Sequence, residues 1–403
     1  MGSWLRCRQK RLGVVGTFAM LVFTCFVTPF SLDMFTPALP QMVLYFDSDV
    51  PTVNLAILLF YVFFAAGQLA FGPLSDKMGR KPVFLGGSVV YALGSIACFL
   101  CNSIPVLLCS RIVQALGAGA IAAVSIAMVK DVFAPNRMDD ALSVITAIFG
   151  VGPIAAPLFG AFLMQVMDWH AIFAALAIFG AVCIFFGLLL EEPLAPEDRV
   201  GGKGPQVVAG LVRVLRNRGF SLYMCVMAII DIAFMAYISV ASHIYITFFG
   251  LDEIGYGLYF GVGMVIMLVG PALWPVASRF MGKKLFTWIL IGGCILSGVL
   301  LLVIGSWGPV FFCISFALFI LMESSSRPFS MGILLVQQEE DAGAAASLTN
   351  CSRTVFGTFG MALAVLPWGN YIFGLGAITI ISMVCSALLW ILLLRTAKLK
   401  GVE

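Results

Sequence analysis

Apolar residues fall in blocks far longer than a soluble core uses, separated by short polar breaks. The first six runs lie at about 12–32, 53–74, 83–101, 105–129, 141–165 and 170–190. The next six lie near 219–249, 256–278, 285–305, 309–334, 346–366 and 371–394. Each is close to or above the roughly 20 residues that a helix needs to cross a ~30 Å hydrocarbon layer. The pattern predicts an all-α polytopic membrane protein with twelve transmembrane helices in two sets of six. Between the sets, the chain is polar and Pro/Gly-rich from Glu191 to about Gln206, then basic at Arg213, Arg216 and Arg218. This reads as a linker over 191–218, joining an N-terminal bundle at 1–190 to a C-terminal bundle at 219–403. Arg6, Arg8, Lys10 and Arg11 before the first run imitate a signal peptide. That run is too long for one and no small-residue cleavage site follows, so it is taken as the first spanning helix.

Composition agrees. Hydrophobic residues make up 61% and charged residues 11%, with a mean hydropathy of +1.06; a soluble domain is about a quarter charged. The net charge of +3 says less than where the charges stand. With the N-terminus cytoplasmic, the inner loops and tails hold Arg6–Arg11, Lys77/Arg80/Lys81, Arg137, the linker, Arg279/Lys283/Lys284 and Arg395/Lys398/Lys400. The opposite loops hold none, which predicts both termini inside. The eleven Cys are scattered singly, apart from Cys98-x-x-Cys101, and read as small apolar residues with no metal role. No nucleotide-binding, zinc-protease or serine-hydrolase signature is present. The expectation is a protein that is no enzyme, has no cofactor, and draws on an ion gradient.

The most ordered polar stretch is Phe71-Gly72-Pro73-Leu74-Ser75-Asp76-Lys77-Met78-Gly79-Arg80-Lys81-Pro82. Read physically it is a tight cytoplasmic turn, with Gly72 and Gly79 permitting close approach and positive φ and Pro73 and Pro82 punctuating the flanking helices. Asp76 fits a helix N-terminus, where negative charge is favoured. The stretch resembles the loop between helices two and three of the major facilitator superfamily, G-x-L-[S/A]-D-[R/K]-x-G-R-[K/R]. The resemblance implies a gating role for Gly72, Asp76, Gly79 and Arg80, with Asp76 latching the cytoplasmic side in an outward-open state. Ser278–Lys284 falls at the matching place in the second half, so a parallel repeat is expected, with the binding cavity between the halves.

Charges inside the runs carry the functional expectation, because each costs several kcal/mol in lipid. Asp33 stands in Asp33-Met34-Phe35-Thr36-Pro37-Ala38-Leu39-Pro40, which resembles the Asp-Met-Tyr-x-Pro-x-x-Pro segment of the Bcr/CflA (bicyclomycin and chloramphenicol resistance) branch of drug:proton antiporters, with Phe35 in place of Tyr. A carboxylate in a low-dielectric cavity is suited to taking and releasing protons near neutral pH; the alternative is a helix-end Asp in headgroup water. Arg111 opens Arg111-Ile112-Val113-Gln114-Ala115-Leu116-Gly117-Ala118-Gly119-Ala120, similar to the family's helix-four motif with Ala115 in place of Gly. An Arg keeps its charge and favours a nearby anion, so Arg111 is expected to tune Asp33; the alternative is snorkelling to the outer headgroups. Gly150-Val151-Gly152-Pro153-Ile154-Ala155-Ala156-Pro157-Leu158-Phe159-Gly160 resembles the antiporters' helix-five motif of small residues and bends, which adds Gly152, Pro153, Pro157 and Gly160 to the gating set. Lys130-Asp131 fits the branch's pair after helix four, and Asp131 is placed to contact the helix-two loop.

The second half matches loosely. Ala236–Tyr245 is similar to the branch's helix-seven segment with Ser242 for its Pro. Asp231 reads as a second titrating or cation-binding acid, or as an acid bonded to neighbouring hydroxyls. Glu323 and Arg327, at i and i+4, read as a structural ion pair or a substrate-orienting site. Met34, Gln114, Asp231, Tyr237, Glu323 and Arg327 are the substrate-cavity candidates. His170 and His243 read as satisfied polar caps, and Arg353 as snorkelling. The resemblance implies proton-coupled efflux of small lipophilic substrates by alternating access, from a monomer in the bacterial inner membrane, with no nucleic acid partner. The alternative is a facilitator or importer of a specific polar metabolite.

Overall fold

The computed structural model describes the chain outside residues 1–8, 134, 196–198, 200–210, 339–341, 397–398 and 401–403, and describes backbone alone at 130, 135–150 and 342–344. Arg6, Arg8 and Lys398 and much of the linker therefore lie outside the described residues, as does the side chain of Arg137. The chain forms two compact units, Met1–Gly202 and Lys203–Glu403. In the first, six passes follow in order: α1 Gly13–Tyr45, α2 Val50–Met78, α3 Arg80–Phe99, α4 Ile104–Val132, α5 Pro135–Val166 and α6 His170–Leu189. In the second they are α7 Arg218–Phe248, α8 Glu253–Ala277, α9 Lys283–Trp307, α10 Pro309–Gln337, α11 Ala342–Ala364 and α12 Tyr371–Thr396. Among the described residues ten of these are long and apolar enough to cross a membrane; α5 and α11 complete the sets. This is the all-α, twelve-helix arrangement that the runs predict.

Each unit pairs its helices by the same plan. In the first, α1 packs on α5, α2 on α4, and α3 on α4 and α6. In the second, α7 packs on α11, α8 on α10, and α9 on α10 and α12. Even the second-pass N-caps correspond: Asp49 accepts the Thr52 N–H and Asp252 accepts the Gly255 N–H. At exposed Asp49 the Thr52 side chain, and to a lesser degree its N–H, hold the carboxyl below its usual range. Close approach relies on small residues, as expected where lipid supplies no hydrophobic drive between helices. A Cβ at Gly117 would strike the Tyr91 backbone of α3, and one at Gly119 the Phe64 carbonyl of α2.

Helix α1 is broken beside Asp33 for a reason visible in the sequence. The α-helical part ends at Asp33, and a 3₁₀ turn over Thr36–Ala38 leads into Leu39–Tyr45. Pro37 has no N–H to offer the Asp33 carbonyl four residues back. The Thr36 hydroxyl donates to that carbonyl instead, at 2.7 Å.

The α2–α3 junction differs from the expected turn. Helix α2 runs through Gly72 and Pro73 to Met78, and a Cβ at Gly72 would meet open space, so neither residue shapes a turn. A proline in a helix forfeits one hydrogen bond but does not stop it when neighbouring helices hold the flanks. The whole junction is Gly79, at φ +104°, a conformation costly for any other residue. Asp76 sits in the last turn of α2, not at a helix N-terminus. The N-terminus of α3 is covered by Glu192, whose carboxylate accepts the Arg80 N–H at 2.8 Å and the Lys81 N–H at 3.1 Å. Next to it, Glu191 exchanges backbone–amide bonds with Gln9, 2.8 and 3.0 Å long, ahead of α1. Glu192→Ala is expected to leave two helix-terminal N–H groups without an acceptor and to cost about 0.5–2 kcal/mol, read as a lower unfolding midpoint in detergent than that of the wild type.

Candidate functional site

Asp33 is buried, 5% exposed. Residues four apart share a helix face, so Asp33 lies with Pro29 on one side of α1, while Ser31 and Phe35 share the other. The Pro29 side faces α5: a Cβ at Gly152 would strike the Pro29 ring, and one at Gly160 would strike the Met34 carbonyl. Pro153 and Pro157 lie within the continuous helix between these two glycines. The small residues of α5 thus seat it directly on the acid-bearing stretch of α1. Among the described residues, the Asp33 carboxylate has no ion-pair partner.

Arg111 is fully buried on the other side of α1. It does not snorkel. Its Nη1 donates to the Ser31 carbonyl at 3.0 Å and to Gln114 Oε1 at 2.6 Å, and its Nε to the Ala56 carbonyl at 3.4 Å. The guanidinium carbon stands 4.3 Å from the Phe60 ring centroid, 4.6 Å from Phe35 and 5.8 Å from Phe173. A ring face attracts a desolvated cation by up to about 2 kcal/mol, so π faces and carbonyls stand where a counter-ion was expected. Phe35, the departure from the resemblance, is one of these rings. Gln114 is held in turn by donating to Ser95 Oγ at 2.8 Å. Gln114 and Met34 are both fully buried: Gln114 is bonded to Arg111, and the Met34 carbonyl lies against Gly160 of α5.

At the opposite end of α4, Arg80 gathers the charged residues of the α2–α3 junction. Its Nη1 meets Asp76 Oδ1 at 2.6 Å, its Nε meets Asp131 Oδ2 at 2.7 Å, and Nη1 also donates to Ser75 Oγ. Asp76 is half exposed and Asp131 less so. One guanidinium therefore ties α2, α3 and α4 together at a single point. Lys130, the other half of the pair after α4, has its side chain outside the described residues.

The second unit holds a different electrostatic core. Asp231 on α7 accepts from Arg327 of α10 at 3.2 Å through Oδ1 and from Arg353 of α11 at 2.9 Å through Oδ2. Arg327 also donates its Nε to Glu323 Oε1 at 2.6 Å, and Arg353 Nη1 lies 3.9 Å from the same oxygen. Arg353 completes its bonds on Ser330 Oγ at 3.0 Å. It is buried, so the expected snorkelling is wrong: a cation about three turns into α11 finds two carboxylates in the bundle interior and has no need of the headgroups. The Glu323–Arg327 pair is present as the i, i+4 spacing suggests, but as part of a group of four. Arg327 has 37% of its side chain exposed, while Asp231 has 2% and Glu323 none. Tyr237, also buried, stacks on Phe316 at 4.3 Å and on Phe260 at 5.7 Å. His170 pairs with Asp168 at 2.9 Å. His243, by contrast, is no satisfied cap: it starts a π-helical stretch, is buried, and its Nε2 lacks a partner among the described residues.

The two acids occupy corresponding places. Gly160 of α5 lies against the carbonyl of Met34, the residue after Asp33; Gly360 of α11 lies against the carbonyl of Ile232, the residue after Asp231. In one unit the acid of this repeated contact has no cationic partner among the described residues, and in the other two arginines clamp it. Among the described residues no group of His, Cys, Asp or Glu side chains is arranged to hold a metal ion.

A family model described as Major Facilitator Superfamily matches residues 21–361. The chain is 30% identical to the chloramphenicol resistance protein of Pseudomonas aeruginosa over 310 residues, 73% of this chain and 69% of that one. It is 27% identical to the bicyclomycin resistance protein homolog of Haemophilus influenzae over 258 residues, 63% of this chain and 64% of that one. In fold it is similar to a bacterial homolog of the human lysosomal transporter Spinster, solved inward-facing and unoccupied, with a TM-score of 0.71 at 15% identity, covering 94% of this chain and 96% of that one.

Asp231→Asn is expected to leave two guanidiniums facing the single carboxylate of Glu323, one uncompensated positive charge, and to destabilise the second unit by about 3–5 kcal/mol. Asp33→Asn strands no cation and should cost under about 1 kcal/mol. Thermal unfolding of the two variants side by side checks the contrast.

Proposed function

The chain belongs to the Major Facilitator Superfamily, and we propose from that premise that it exports small lipophilic compounds, antibiotics among them, in exchange for protons. The resistance relatives support the substrate class and the direction. Asp33 supports the coupling. It is a carboxylate within a spanning helix, free of any cationic partner among the described residues and seated against the small-residue face of α5. That is the observation on which the reading rests, because an acid clamped by arginine cannot readily exchange protons.

In this reading Asp33 carries the proton during alternating access. Arg111 is a positioning residue: it holds the Ser31 carbonyl and the Phe35 ring, the two neighbours that fix the rotation of α1 and so the aim of Asp33. The Asp76–Arg80–Asp131 contact latches the cytoplasmic ends of α2, α3 and α4 in the outward-open state. The protein acts as a monomer in the bacterial inner membrane, and the placement of Lys and Arg supports both termini being cytoplasmic. The charged group around the partly exposed Arg327 favours a second reading, a facilitator or importer of a polar metabolite.

Efflux assays in inverted vesicles with an imposed pH gradient separate the two. Gradient-driven accumulation of lipophilic antibiotics supports export; accumulation of none of them, with uptake of a polar solute, supports the second. Asp33→Asn should abolish gradient-driven transport while the purified protein still binds substrate, and full active transport by this variant would sink the coupling role. Arg111→Lys keeps the charge without the planar fork and should retain part of the transport. Arg111→Ala loses charge-assisted bonds worth about 1.5–3 kcal/mol each and should transport at background rate; wild-type rates in that variant would count against the positioning role.

A further inference from the structure

We propose that Glu323 is a proton-binding site of the second unit, independent of Asp33, and that withdrawal of Arg327 loads it. The four charges of this core are unequally satisfied. Both oxygens of Asp231 are engaged by arginines, and Arg353 is fixed by Asp231 and Ser330. Glu323 is fully buried, yet only Oε1 is bonded; Oε2 is buried without a hydrogen-bond partner among the described residues. A buried carboxylate oxygen with nothing to accept from is costly, and protonation lowers that cost by neutralising the charge, since a buried neutral hydroxyl costs far less than a buried anion.

Charge balance names the moving part. With all four groups ionised, two guanidiniums offset two carboxylates. Arg327 is the member with substantial exposure, 37% of its side chain, so it is the one that can leave without entering a drier environment. Arg353, at 9%, is not. When Arg327 swings out, Asp231 keeps Arg353, whereas Glu323 retains only the same Arg353 at 3.9 Å. The remaining three charges sum to −1, and one proton from water, bound on a Glu323 oxygen, restores neutrality. Among the described residues the other faces offer Glu323 no further charge to do this. Helix α9 contributes the buried Cys294 thiol, and α8 lies against the serines beside Glu323 through Gly270, whose carbonyl accepts from Ser325. On α7 the further titratable neighbour is Tyr223, which faces Arg353. Asp33 belongs to the other unit, so the two proton sites can load separately.

Difference infrared spectroscopy on the purified full chain in lipid nanodiscs reads the protonated-carboxyl C=O band directly. It needs no transport, so failure of the efflux reading would leave this test intact. All variants carry Asp33→Asn to silence the first unit. Adding Arg327→Gln should raise the band at neutral pH at least twofold, and adding Glu323→Gln to that protein should remove it. No rise with R327Q, or a band that survives E323Q because the proton resides on Asp231, overturns the proposal. Where E323Q does not yield folded protein by size exclusion, Glu323→Asp should shift the frequency of the band, and an unshifted band is equally fatal.

Discussion

A guanidinium keeps its charge even inside a hydrocarbon layer, so every buried arginine must be answered within the protein. The two units give opposite answers. Arg111 is met by three phenylalanine rings, two backbone carbonyls and an amide oxygen, none of which carries charge. Arg327 and Arg353 are met by two carboxylates. The first solution leaves the acid of its own unit uncommitted. The second ties its acid down, since each lost partner would expose an unbalanced buried charge.

Because the units repeat one plan of helix pairing, this contrast has an architectural reading. The same contact, a fifth-helix glycine against the carbonyl that follows an aspartate, occurs at Gly160 and Gly360. It holds the backbone of each acid in place by sterics alone and is indifferent to what the side chain does. Charge partners can therefore differ between the repeats without disturbing the packing. On α11 an arginine joins the acid, while the described contacts of α5 with α1 are apolar, glycines against Pro29 and Met34 and the Phe159 ring beside Phe30.

Much of the fold was legible in the sequence because the bilayer imposes it. A spanning helix must be about 20 apolar residues long, so the runs near 83–101 and 309–334 correspond closely to α3 and α10. What the local pattern could not reveal were partners set by tertiary packing. Nothing near Arg353 signals that Asp231, 122 residues earlier, will lie beside it. The reading of Gly72 and Pro73 as turn residues failed because their propensities act locally, whereas the neighbouring helices carry α2 on to Met78. Asp76 suggested a helix cap by its charge, but Glu192 does that work from after α6. Arg111 was legible as a buried cation; its seat of rings was not, since a phenylalanine among 35 carries no mark of the face it will present.

The Glu192 contact has a consequence for how the first unit is made. The Arg80 amide and its acceptor are 112 residues apart, which at about 5–20 residues per second is roughly 6–22 s of synthesis. During that interval the ribosome has released α3 with the start of the helix still hydrated, and the later passes of the unit must be threaded before its final acceptor exists. The Glu191–Glu192 pair is thus a terminal fastening: one residue secures the start of α1, the other the start of α3, and neither can close until the sixth helix has been delivered to the membrane.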